Sequence, residues 1–179
     1  MPHTAAPIRI DYYSDVLCVW AWIAQPRLEE VNRQWAGKVT IRHRYLDIFG
    51  DSYRKIARQW GETDGFEKFG AHVVKSAAPF ENLEVNPAVW AKVRPRSSLQ
   101  AQLFLKAVAL VSNETLVDPV ALRIRQAFFT EAKDINDYAT LMACADAENI
   151  DEQALQSTPV SYTHLTLPTT LCMCRSRWS

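Results

Sequence analysis

The sequence shows no long apolar run, no net charge, no visible secretory signal and no disulfide framework, and each absence argues against a class of protein. No stretch approaches the roughly eighteen apolar residues of a membrane span. Basic and acidic residues each number 20 in a chain of 179, which leaves no electrostatic footprint for nucleic acid. The opening MPHTAAPIRIDYY has no basic segment followed by an apolar one, so no secretory signal is visible. Four cysteines in a chain of this length do not suggest a disulfide scaffold. A reducing, cytoplasmic setting is the expectation these absences leave. Internal repeats and low-complexity segments are also missing. What is present is 48% apolar residues, enough for a globular domain with a sizeable core.

That domain is organised around Ile8 to Val31, IRIDYYSDVLCVWAWIAQPRLEEV. Ile8 to Tyr13 is a β-branched and aromatic run, a strand by propensity. Ser14 and Asp15 are turn formers. A helix follows, with Leu28, Val31 and Trp35 at helical spacing. Cys18 therefore falls where a strand gives way to a helix N-terminus. Unpaired backbone N–H groups and the positive end of the helix dipole favour an anion there, and thiols so placed commonly have lowered pKa. The competing reading is a small buried apolar residue, as most free cysteines are.

Gly37 closes the helix. Val39 to Phe49, VTIRHRYLDIF, reads as a second strand with Val39, Ile41, His43 and Tyr45 on one face. Strand, helix and strand make a βαβ unit. On that pattern His43 is a packed core histidine. Asp47 is either a site carboxylate at the strand's C-terminal end or a solvated one.

From Gly50 to about Asn149 the pattern is helical. Ser52 to Trp60 and Gly65 to Ser76 each carry an apolar stripe. Residues 78 to 96 form an irregular loop rich in apolar side chains, which is expected to pack and to border a substrate groove. Ser97-Ser98-Leu99-Gln100 is a capping box opening a helix with Leu103, Phe104, Ala107, Val108 and Val111 buried. Asp118-Pro119 reads as the next helix start, with Val120, Ile124, Ala127 and Phe128 inward. A further helix spans about Asn136 to Glu148 and holds Cys144 as a buried structural thiol. Asp151 caps another start.

The segment Asp11-Tyr12-Tyr13-Ser14-Asp15 followed by Cys18-Val19-Trp20 resembles the opening of the DsbA-like thioredoxin-fold group. That group includes FrnE-type oxidoreductases, 2-hydroxychromene-2-carboxylate isomerases and kappa-class glutathione transferases. Pro26 fits the resemblance, since the first helix of such domains is often kinked by proline. Ala21 departs from it, because a dithiol member carries its second cysteine there. The resemblance implies an α/β chain with a thioredoxin-like βαβ core (residues 8–49), a large all-helical insertion (50–150) and the start of a return to the core (151–159). The group's final strands, final helix and cis-proline loop do not appear, so the chain reads as truncated.

The last stretch, residues 160–179, is expected to be non-native. VSYTHLTLPT looks like a translated adapter from DNA library preparation, and such scars are left out of fold reasoning. Removing it removes Arg175 and Arg177, so the remainder is slightly acidic. It also removes Cys172 and Cys174, which supply only half of a tetrahedral metal set. No metal site is expected.

By resemblance, Cys18 is the catalytic residue, and Trp20, Ser97 and Ser98 border the bound thiol or disulfide substrate. Both serines also have a sufficient explanation as helix caps. The leading expectation is a thiol–disulfide oxidoreductase that works through a mixed disulfide, with no resident cofactor and with glutathione as an external co-substrate. A second expectation is a glutathione-dependent isomerase or transferase, which the lone cysteine favours. A third is a non-catalytic thioredoxin-like binding module. A homodimer is an expected assembly, since group members are often dimers. No nucleic-acid or membrane partner is expected.

Overall fold

The structure is a computed structural model, and it describes residues 6–81 and 83–158. The tail 160–179, with Cys172 and Cys174, lies outside the described residues. The chain runs β1 (Ile8–Ser14), α1 (Val19–Gln34), β2 (Val39–Tyr45), α2 (Ser52–Trp60), α3 (Gly65–Ala77), α4 (Leu99–Val111), α5 (Glu114–Phe129), α6 (Tyr138–Asp146) and α7 (Glu152–Ser157). β1 and β2 pair in parallel, with Ile8 opposite Val39, Tyr12 opposite His43 and Ser14 opposite Tyr45. The strands adjoin because α1 carries the chain back across the sheet, as a parallel pair requires. Gly37 supplies the left-handed turn at the end of that crossover (φ 75°), which glycine adopts without steric cost. Side chains of β2 alternate between half-buried and exposed along its whole length, as the period-2 pattern predicts.

The helical block holds most of the core. Rings run through it in contact: Phe69 to Trp90 at 5.4 Å, Trp90 to Phe128 at 5.2 Å, Phe128 to Phe129 at 5.0 Å and Phe129 to Trp22 at 5.9 Å. Each such pair contributes about 0.5–1.5 kcal/mol beyond its area burial. Trp22 belongs to α1, so the series carries the block's packing up to the helix that follows Cys18. The irregular loop packs as core, with Val89 and Trp90 fully buried. It also reaches α1, where the Trp22 indole N–H donates to the Glu84 carbonyl at 3.2 Å.

Several local expectations are corrected. β2 ends at Tyr45, short of Phe49. In α1 the buried residues are Val19, Ala21, Trp22 and Ile23, and Trp35 is exposed, because the first turns of the helix carry its core contacts. α5 begins at Glu114, capped by Asn113, whose side chain accepts from the Thr115 N–H at 2.9 Å. Asp118 lies inside that helix and accepts instead from the Tyr45 hydroxyl at 2.9 Å. A tertiary partner outweighed its local capping preference. Asp151 caps α7 as expected, accepting from the Gln153 N–H at 2.9 Å.

Candidate functional site

Cys18 is the N-cap residue of α1, in extended conformation (φ −82°, ψ 116°), and no side chain caps the helix there. Its N–H donates to the Asp15 carbonyl at 3.1 Å, and its own carbonyl accepts from Ala21 and Trp22 at 3.0 and 3.2 Å. The half-buried thiol thus stands at the helix end whose first-turn N–H groups any helix leaves without an intrahelical partner. Ala21, at the position of the second cysteine in dithiol relatives, is buried. Trp20 stands on the first turn with 58% of its surface exposed, a flat apolar wall beside the sulfur's helix.

The turn that presents Cys18 is held by a carboxylate. Asp15 is 0% exposed and accepts from the Leu17 N–H at 2.8 Å, the Phe49 N–H at 2.9 Å and the Ser98 hydroxyl at 2.7 Å. It thus joins three segments: its own turn, the exit from β2 and the start of α4. Burial pushes its pKa up, opposed by those three hydrogen bonds and by the Arg125 charge. A buried carboxylate with its lone pairs filled in this way sets geometry rather than affinity.

Ser98 is thereby brought to the Cys18 turn, through Asp15. Its hydroxyl does not cap α4; it donates to Asp15 and accepts from the Gln102 amide at 3.2 Å. Ser97 takes the capping role, its hydroxyl accepting from the Leu99 N–H at 3.0 Å. Asn136 occupies the reciprocal half of the predicted capping box, accepting from the Ser97 N–H at 3.2 Å and donating to its carbonyl at 2.7 Å. Ser97 is accordingly tied to the approach to α6. Asp47 is exposed, so the carboxylate that serves the turn is Asp15.

Behind the turn lies a second polar layer. Arg125, buried on α5, donates to the Ser14 hydroxyl at 2.8 Å and to the Gln25 side chain at 3.3 Å. Burial raises the Tyr12 pKa, the Arg125 charge opposes that rise, and Cys18 adds to it. His43 is half-buried, 3.9 Å from Asp118, and burial pulls its pKa down against the pull of that carboxylate. Burial and then Asp118 push the Tyr45 pKa up. Cys144 is buried in α6, and burial raises its thiol pKa.

Sequence reasoning overlooked Asp15 and Arg125 as site groups. Asp15 read only as a turn former. Arg125 carried one signal, a charge beside the buried positions Ala121, Ile124 and Phe128 of a helical stripe. A cavity of 620 Å³ opens between β2, α4 and the start of α5, and one of 140 Å³ lies beside Tyr138 and Leu155; Cys18 lines neither. Among the described residues no group of three or more His, Cys, Asp or Glu side chains is placed to hold a metal. Nor is any described helix long and apolar enough to cross a membrane.

A βαβ unit, a helical block and a cysteine at the first helix's N-terminus define a thioredoxin-like domain. The chain belongs to the DSBA-like thioredoxin domain family, whose model matches residues 9–160. Among solved structures it is similar to a putative protein disulfide isomerase from Nitrosomonas europaea (TM-score 0.59, 18% identity, covering 86% of this chain and 70% of that one). It is similar to the cytosolic disulfide reductase DsbM from Pseudomonas aeruginosa with GSH (TM-score 0.59, 16% identity, 83% and 69%). It is similar as well to a 2-hydroxychromene-2-carboxylate isomerase (TM-score 0.53, 15% identity, 87% and 74%). At these identities the likeness is one of fold. No curated protein matches.

Proposed function

We propose that this chain carries out thiol–disulfide exchange through Cys18 alone. The observation that carries the reading is the half-buried thiol at the α1 N-terminus, with a buried alanine where a second cysteine would stand. The Cys18 thiolate attacks one sulfur of a substrate disulfide; the S–S bond breaks, the other sulfur leaves as a thiolate and takes a proton from solvent. The product is a mixed disulfide on Cys18. An external thiol then attacks that bond, forms a disulfide with the substrate sulfur and releases Cys18 as thiolate. Glutathione is the proposed external thiol, a choice supported by the DsbM structure with GSH. Trp20 and Ser98 border the reaction, one as an exposed wall and the other through Asp15. A cytoplasmic setting, where glutathione is abundant, goes with this chemistry.

A glutathione-dependent isomerase is the second reading, favoured by the lone thiol and by the isomerase fold relative. The test is incubation with oxidised glutathione, read by peptide mass spectrometry so that adducts on Cys18 are told from those on the tail cysteines. A glutathione adduct at Cys18, catalytic reduction of insulin disulfides and loss of both in Cys18→Ala are the expected results. Adduct formation without insulin reduction, but with turnover of an isomerisable aromatic substrate, favours the second reading. Absence of any adduct at Cys18 overturns the exchange reading.

A further inference from the structure

Arg125 is 1% exposed, and no carboxylate lies within ion-pair distance of it among the described residues. Its Nε has no hydrogen-bond partner, and its guanidinium lies 5.8 Å from the Tyr45 ring centroid. A buried cation without a salt bridge is costly, and an apolar residue of similar size would pack the α5 stripe at lower cost. The two groups Arg125 does bind are therefore informative. Ser14 is the last residue of β1 and Gln25 lies in the second turn of α1. One precedes Cys18 and the other follows it.

We infer that Arg125 is a positioning residue for Cys18: from the helical block it fixes the end of β1 and the second turn of α1 relative to each other, and so sets the direction in which the thiol is presented. Asp15 ties the same turn to Phe49 and Ser98. Two buried polar side chains, Asp15 and Arg125, thus hold the short segment around Cys18. Both reactions are in-line displacements, but a bulky aromatic disulfide can reach the sulfur from few directions, whereas a small alkylating reagent can reach it from many, so the first is the more sensitive to how the thiol is presented. The functional consequence rests on the exchange reading, while the geometry is testable without it.

The experiment uses the full chain and compares wild type with Arg125→Gln, Arg125→Lys, Gln25→Leu and Ser14→Ala. Peptide mass spectrometry follows three rates: iodoacetamide at Cys18, an activated aromatic disulfide (dithiobis-nitrobenzoate) at Cys18, and iodoacetamide at buried Cys144 as a reporter of core opening. Arg125→Gln is expected to slow the aromatic disulfide on the order of tenfold, with iodoacetamide at Cys18 and Cys144 near their wild-type rates. Arg125→Lys keeps the charge and one contact, and recovers part of the loss. If Arg125→Gln opens the core at Cys144, Gln25→Leu and Ser14→Ala decide, each expected to slow the disulfide selectively. Unchanged disulfide rates in both of these milder variants, or equal slowing of both reagents, overturn the inference. Wild-type failure to react with oxidised glutathione, alongside normal reaction with the aromatic disulfide, overturns the exchange reading alone.

Discussion

In the helical block Trp90, Phe128 and Phe129 have no exposed surface, while in the sheet Ile8 exposes 67% of its own and Tyr13 63%. One region is held by dispersion and hydrophobic burial; the other is held by a backbone ladder and by the residues that tie it to the first. Cys18 lies on the seam. Its turn is fixed less by the sheet below it than by buried polar contacts from the helical side: Asp15 to Ser98, and Arg125 to Ser14. The comparison suggests a division of labour, with stability concentrated in the block and orientation in the polar seam.

The largest effect should come from the block. Phe128→Ala is expected to cost about 3–5 kcal/mol, seen as a lower urea midpoint with an unchanged slope. A loss of less than 1 kcal/mol would mean that stability is not concentrated in the block. Gly70→Ala should follow at about 1–3 kcal/mol. A Cβ there would sit 2.7 Å from the Val89 carbonyl oxygen and 3.0 Å from the Ala91 nitrogen, and both are backbone atoms of the buried loop. Near-wild-type stability in this variant would mean that the loop can shift and is not part of the rigid block.

Next comes the seam. Because burial raises the Asp15 pKa in the folded state, folding favours its protonated form. The stability this contributes is fully present below the unfolded-state pKa and is lost as pH rises through the raised folded-state value. Wild type should therefore lose stability relative to Asp15→Asn as pH climbs from about 4 toward neutrality, by at most about 1.4 kcal/mol per pH unit. Urea midpoints for both proteins across that range measure it; parallel curves would show that Asp15 does not titrate as a buried group. The smallest effect belongs to the strand edge, where Ile8→Thr should stay within about 0.5 kcal/mol. A larger loss would show that β1 contributes more packing than its exposure indicates.

Much of the architecture was legible in advance. The alternation Val39, Ile41, His43, Tyr45 and the stripe Leu103, Phe104, Ala107, Val108 act over a few residues; α4 forms where its stripe predicts, and β2 forms on its alternation but stops at Tyr45, short of Phe49. Asp151 capped its helix for the same reason. Asp118-Pro119 failed as a start signal because Asn113 offered an equally local cap and the Tyr45 hydroxyl a better use for Asp118. At the site, Cys18 was placed correctly by the strand-turn-helix pattern, whereas Ser97 and Ser98 could not be told apart. Only packing assigned one to Asp15 and the other to Asn136.

The βαβ opening, the helical block and the helix-N-terminal position of Cys18 follow from local pattern, because strand period, helix period and capping are short-range physics. Tertiary structure alone decided what holds that cysteine in place. Asp15 meets Phe49 and Ser98 across 34 and 83 residues, and Arg125 meets Ser14 across 111. At such separations a turn-forming aspartate and an arginine on a helix look ordinary. They become buried ties only when folding removes their water and leaves distant segments as the available partners.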